Sequence, residues 1–187
     1  MSNGAATGRV PMSSPVLSQQ ALNKAMLEAV DFIHAEGWDA GPTLFALVPT
    51  ELLADQLDPD QANSPLTLVV QDTLPAGILP GSAELDEYIT RLAWPSDVAG
   101  VILAQEISFR DASAPEGDVA RHARLFSGVL RSDGIDLTLL QLRPTEAELE
   151  SNGPFAEDNI ELRGGPNVAP HVTEALRFGL EQDPDEL

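Results

Sequence analysis

Three histidines, His34, His122 and His171, are the first places to look for proton transfer or metal ligation in this cysteine-free chain. A metal site on a helix or hairpin needs a second ligand one turn or one cross-strand step away. None of the three has another histidine at such a spacing. A Ser-His-Asp arrangement would need a G-x-S-x-G elbow to expose its nucleophile, whereas Phe126-Ser127-Gly128 reads as the middle of a strand. Asp58-Pro59-Asp60 begins like a calcium loop, but Asn63 stands where that loop needs glycine and Val69 where it needs glutamate. Gly164-Gly165-Pro166 lacks both the lysine of a P-loop and the spacing of a dinucleotide fingerprint, and is expected to serve as a helix-entry turn. These patterns assign no catalytic, cofactor-binding or metal-ligating residue, and no cofactor is expected.

The residues better suited to recognition are Arg121 and Arg124, flanking His122, and the two tryptophans, Trp38 and Trp94. Arginine presents a rigid fork of donors to an anion or a carboxylate, and in so acidic a chain its expected task is to neutralise neighbouring carboxylates. Tryptophan is enriched at the hot spots of interfaces. Each tryptophan here lies between a helix end and a strand, where packing into a corner is the simpler expectation. These four residues are the candidate interaction site. The acidic residues from Glu146 to Glu161 and the tail from Glu181 to Leu187 are the densest clusters of negative charge.

Thirty acidic residues stand against ten basic ones, a formal net charge of −20 on 187 residues. A surface of that sign repels nucleic-acid phosphates and anionic lipid alike, so neither is an expected partner. Physiological salt screens charges over about 8 Å, so only local clusters retain a field. No run approaches the roughly 20 apolar residues of a membrane span, and Met1 to Pro15 carries no signal-peptide core. A cytoplasmic protein is expected. Hydrophobic residues make up 43% of the chain, enough for a core built on Leu, Val, Ile and Ala, since aromatics are only 5%.

The elements that must position these residues follow from periodicity. Residues 1–16 are small and polar and are expected to form a disordered leader, residues 17–180 one domain, and residues 181–187 an acidic tail. Leu22, Met26, Val30 and Ile33 recur at helical spacing after Ser18, an N-cap residue, and before the stop signal Gly37. Thr43 to Val48, apolar throughout, predicts a strand buried on both faces. Thr50 is expected to cap a short helix, Glu51 to Leu57, before a strand from Leu66 to Gln71. Ser82 opens a helix ended by Trp94-Pro95. Strands follow at Val98 to Phe109, Leu125 to Leu130 and Ile135 to Leu142, the last two joined through Asp133-Gly134 as a hairpin. An acidic loop from Arg143 to Pro166 leads to a helix opened by Asn167 and carrying Val168, Val172, Leu176 and Leu180. The class is therefore α+β: one mixed or mainly antiparallel sheet of about five strands, with helices packed mainly on one face.

Several segments in order resemble a family of small, acidic, uncharacterised proteins restricted to actinobacteria. They are Gly37-Trp38-Asp39, Leu44 to Thr50, Leu92-Ala93-Trp94-Pro95 with Val98-Ala99-Gly100, Gly128-Val129-Leu130-Arg131, and Val168 to Leu180. The chain departs from that pattern at Ala40-Gly41-Pro42, which is poorer in proline, and around Arg121 to Leu125. The resemblance implies no activity, ligand or site residue. The expected function is a non-enzymatic binding or interaction protein, with a protein or small-molecule partner and a homodimer as one possible assembly. The alternative is an enzyme whose active site is dispersed over loops. A deep pocket with converging polar groups would favour the enzyme, and a shallow surface would count against it.

Overall fold

A computed structural model describes residues 18–52, 65–71, 77–80, 82–95, 97–111, 119–131, 135–152, 162–164 and 170–181. The leader, the acidic tail beyond Glu181, the turn 132–134 and residues 53–57 of the short helix all lie outside the described residues. In chain order the elements are α1 (Gln19–Glu36), β1 (Thr43–Pro49), β2 (Leu66–Gln71), α2 (Ala83–Arg91), β3 (Gly100–Asp111), β4 (Val119–Leu130), β5 (Asp136–Leu142), α3 (Glu146–Asn152), β6 (Leu162–Gly164) and α4 (Pro170–Glu181).

The caps that the sequence indicates do their work. Ser18 Oγ accepts from the Ala21 N–H at 3.1 Å, and Ser82 Oγ accepts from the Leu85 N–H at 3.2 Å. Gly37 ends α1 with φ 91°, a conformation that disfavours any side chain bearing a Cβ. The sheet runs β2-β1-β3-β4-β5-β6, antiparallel at every step and open at both ends. β1 is second in that order, between β2 and β3, which is why its residues are apolar on both sides. Phe45 and Leu47 join one core, Leu44 and Ala46 the other.

The α+β architecture with an antiparallel sheet is as expected, with a sixth strand of three residues added. Two of the three longer helices, α2 and α4, pack on one face over Leu44, Val101, Leu103 and Val129. The other face is covered by α1, whose Leu22, Met26, Ala29 and Val30 meet Phe45, Ile102, Phe126 and Leu130. The predicted acidic loop from Arg143 to Pro166 holds two elements among its described residues. Glu146–Asn152 forms α3, opened by the Leu149 N–H donating to the Thr145 carbonyl at 2.9 Å. Leu162–Gly164 pairs with β5. Glu, Ala and Leu are good helix formers, so the composition of this stretch favours a helix turn despite its charge.

β3 and β4 begin and end on close contacts. A Cβ on Gly100 would lie 2.5 Å from Leu130 Cδ2 and 2.5 Å from the Val129 carbonyl oxygen. Backbone cannot yield as a side-chain tip can. Gly100→Ala is therefore expected to cost about 2 kcal/mol or more, lowering Tm by roughly 4–8 °C for a chain of this size. A thermal melt that overlays the parent would show that the two strands separate freely at this end.

Candidate functional site

One row of side chains crosses the sheet beneath the C-terminal end of α1. Side chains alternate between faces along a strand, so Arg124 on β4 shares the α1 face with Phe126 and Leu130. Its partner in register on β3 is Glu106, and its partner on β5 is Gln141. A row reading Glu, Arg, Gln thus follows an apolar row of Ala104, Phe126 and Leu139. Arg124 is only 1% exposed, the largest of the fully buried side chains among the described residues.

A buried guanidinium is costly unless its donors are used. Arg124 Nη1 donates to Gln141 Oε1 at 3.0 Å, and Nη2 donates to the Gly37 carbonyl. That carbonyl sits at the negative end of the α1 macrodipole, a favourable place for a cation. The indole of Trp38 covers the guanidinium, with Cζ 3.9 Å from the ring centroid. Gln141 Nε2 lies 3.1 Å from His34 Nδ1, so the row continues into α1. Burial pulls the Arg124 guanidinium below its ordinary value, Glu106 pulls it back, and Arg143 adds repulsion. Arginine stays charged through such shifts. Arg124 Nε, also buried, has no hydrogen-bond partner among the described residues.

Trp38 is held by its own loop. Asp39 adopts φ 70°, a left-handed conformation that aspartate tolerates better than most residues. Its carboxylate accepts from Arg143 Nη1 at 2.9 Å and Nη2 at 3.2 Å, a bidentate pair. Arg143 also lies over Trp38, at 5.3 Å from the ring centroid. The hydrogen bond from Arg143 and then its charge hold the Asp39 carboxyl below its ordinary range, with a small opposing effect of burial and a small added pull from His122. A depressed carboxylate contributes above its unfolded pKa and loses that contribution as pH falls through the folded value. Trp38 emission is accordingly expected to hold steady until pH drops below about 4, then to change as the loop loosens. In Asp39→Asn that acid step is expected to be missing, and superimposable pH curves for the two proteins would refute the link.

Beside this row opens a cleft of about 120 Å³, lined by Ile33, Glu36, Ala40, Gly41, Thr43, Ala104, Gln105, Glu106 and Arg124. Glu106 Oε2 accepts from the Ala40 N–H at 2.9 Å, which ties the loop after Trp38 to β3. Glu36 is exposed at the rim. Among the described residues, no three His, Cys, Asp or Glu side chains gather as a metal site would require.

Of the four candidate interaction residues, Arg124 and Trp38 come together and the other two stand apart. Arg121 is three residues from Arg124 on β4, which turns it to the opposite face. Trp94 is buried at 7% exposure among α2, α4 and β3. Arg124 gives its hydrogen bonds to an amide and a carbonyl, while the charge of Glu106, its partner on β3, acts on it from the adjacent strand. Ser127 is fully buried in mid-strand, its Oγ unpartnered among the described residues. His171 is exposed, 3.7 Å from Asp86 Oδ2. Gln141 and Glu106 were not singled out by sequence, because only the strand register brings them to Arg124, and His34, considered there as a candidate ligand, joins them through Gln141.

The fold and this site define an open, helix-clad antiparallel α+β domain with a buried arginine beneath an indole. The chain belongs to the family described as PPA1309-like protein, which it matches over residues 22–181, from α1 to the end of α4. Comparisons with curated proteins and with solved structures yield no match. Among the described residues, no helix is long and apolar enough to cross a membrane.

Proposed function

We propose that this is a cytoplasmic, non-enzymatic binding protein of actinobacterial type, whose ligand is a small molecule held in the cleft beside Arg124. One observation carries the reading: the cleft is lined by a buried guanidinium whose Nε has no hydrogen-bond partner among the described residues, next to a carboxylate from the adjacent strand. A buried donor without a partner costs about 1–3 kcal/mol, a cost that a ligand acceptor removes. The volume of about 120 Å³ falls below the roughly 300–1,000 Å³ of sites for cofactors and drug-sized ligands.

Binding is favoured over catalysis by the placement of His34, which meets Gln141 and is not among the residues lining the cleft. The wall holds no serine, cysteine or histidine. The net charge of −20 continues to argue against nucleic acid and anionic lipid as partners.

A thermal-shift screen against a panel of small polar metabolites tests the reading. At least one compound is expected to raise Tm with a dependence on concentration, and the rise is expected to disappear in Arg124→Lys, compared at equal distance from that variant's own Tm. No stabilising compound, or a rise of equal size in the variant, would overturn it.

A further inference from the structure

The sheet ends in two unlike edges. β6, on one side, is three residues long and carries Arg163, and short length and charge are two of the devices that discourage edge pairing. β2, on the other side, has neither. Its six residues, Leu66-Thr67-Leu68-Val69-Val70-Gln71, include no charge, proline or glycine, in a chain with thirty acidic and ten basic residues. They pair with β1 in unbroken register from Pro49↔Leu66 to Leu44↔Gln71, so no bulge turns the strand away. Among the described residues β2 pairs with β1 alone, and its outer row of N–H and C=O groups is a template for another extended backbone. The Val69 carbonyl accepts from Gln71 Nε2 at 3.0 Å in an exposed contact, so main chain here is reachable from solvent.

Apolar side chains are exposed on both faces of this edge. Val69 and Val70 are each 38% exposed, and neighbours along a strand point to opposite faces. Val70 lies on the α1 face in register with Phe45, and the ring of Phe32 on α1 stands edge-on to Phe45, 5.5 Å between centroids, while itself 42% exposed. Phe32 is about 200° round the helix from His34, which meets Gln141 on β5. The exposed phenyl ring therefore lies on the β2 side of α1, and apolar surface continues from strand to helix. None of these residues lines the cleft, so pairing at this edge and ligand binding are separate properties.

The residues of β2 also complement themselves. An antiparallel pair about a two-fold axis perpendicular to the sheet keeps each face on its own side, so opposed residues must share a face. With Val69 on the axis, the two Val69 side chains oppose each other, Leu68 opposes Val70 and Thr67 opposes Gln71. Apolar meets apolar and polar meets polar at each step. With Leu68 on the axis, Thr67 would oppose Val69, a poorer match. A foreign extended segment would match the backbone too, but a copy also matches the side chains on both faces. The net charge of −20 is no bar, because physiological salt screens it over about 8 Å and no charge lies on the strand. We infer that the protein is a homodimer whose two β2 strands pair antiparallel about Val69, joining the two sheets edge to edge with both α1 helices on one face.

Sedimentation of the full chain and a pair of cysteine variants test it. The parent is expected to sediment as a dimer, more completely as salt rises, because salt screens the repulsion between two acidic copies. Val69→Lys sets two like charges against each other on the axis and is expected to weaken association by about tenfold or more. Leu27→Lys, at a residue 51% exposed on the opposite flank of α1, is expected to leave association unchanged. The chain has no cysteine, so a single introduced one forms disulfides only between copies. Directly opposed residues have Cα atoms about 4.5–5.5 Å apart, within disulfide range, and Val69→Cys is expected to cross-link on mild oxidation. Gln71→Cys, displaced from its own copy by about 13 Å along the strands, is expected not to. A parent that stays monomeric at about 100 μM, a dimer that weakens as salt rises, a dimer unaffected by Val69→Lys, or equal cross-linking at the two positions would each overturn the inference. A monomeric parent would leave this edge to an extended segment of another protein.

Discussion

Arg131→Ala is expected to cost about 3–5 kcal/mol and to lower Tm by roughly 10 °C. Arg131 follows β4 and reaches back across the end of the sheet to bind main chain alone. Its Nε donates to the Val98 carbonyl at 2.6 Å, Nη1 to the Leu180 carbonyl, and Nη2 to the carbonyls of Trp94 and Pro95 at 3.1 and 2.9 Å. Its own N–H donates to the Ala99 carbonyl at 2.9 Å, which fixes the base of the side chain. One guanidinium thus fastens the end of α4, the segment after α2 and the entry to β3. Burial lowers its pKa from the usual arginine range, so the protein bears a desolvation cost that these bonds offset. Alanine would leave four carbonyls to find water, and the end of α4 would lose its anchor. Faster hydrogen exchange in Val172 to Leu180 is expected alongside the lower Tm, because Gly179 packs against the same segment and admits no side chain there without strain. A Cβ on Gly179 would lie 3.0 Å from the Leu92 carbonyl. A Tm within about 2 °C of the parent, where 1 kcal/mol gives about that shift, would mean that water replaces the arginine without loss.

Arg124→Lys is expected to cost about 2–4 kcal/mol even though charge is conserved. The ammonium cannot serve Gln141 Oε1 and the Gly37 carbonyl with the same planar fork, and it gives up the stacked contact with Trp38. The charge would still be buried beside Glu106, now with fewer partners. Two readouts separate this from ordinary core damage. Trp38 emission, taken as the difference between each protein and its Trp38→Phe counterpart, is expected to shift to the red as the indole loses its seat. The acid step assigned to Asp39 is expected to weaken, because the loop it closes no longer has a floor. A variant that melts early with Trp38 emission unchanged would place the damage in the core and not in the site.

Much of the frame was legible because it depends on local rules. Ser18, Gly37 and Ser82 are cap residues by their own chemistry, and the apolar run Thr43 to Val48 carries its burial in its composition. The site is harder, because it depends on register between distant segments. The strand from Val119 reads as Val-Ala-Arg-His-Ala-Arg before it becomes apolar, and those letters show no alternation, so its first half stayed out of the predicted strand. Extending the period of two backward from Leu130 through Gly128 and Phe126 puts Arg124 on the α1 face. A charge landing inside an otherwise buried stripe was the available signal. Glu106 and Gln141 are then found by register, which no single segment contains. The helix at Glu146–Asn152 was missed for the opposite reason: its acidity outweighed the helix propensity of the same residues.

Two of the segments that carry the family resemblance meet an arginine. Gly37, Trp38 and Asp39 gather over Arg124 and Arg143, and Trp94 with Pro95 gathers on Arg131. In the second assembly all three guanidinium nitrogens of Arg131 donate to main chain. In the first, Arg124 Nε has no partner among the described residues, and that difference separates the fastening from the proposed site.

The most direct test is the side-chain N–H of Arg124 itself, observed by ¹⁵N-resolved NMR and assigned by its loss in Arg124→Lys. Buried and without a partner among the described residues, Nε is expected to give a slowly exchanging N–H signal that moves on titration with a compound that stabilises the parent in the thermal-shift screen, while the Arg131 signal stays in place. An Arg124 signal that holds its position at saturating ligand would contradict the assignment of this cleft as the binding site.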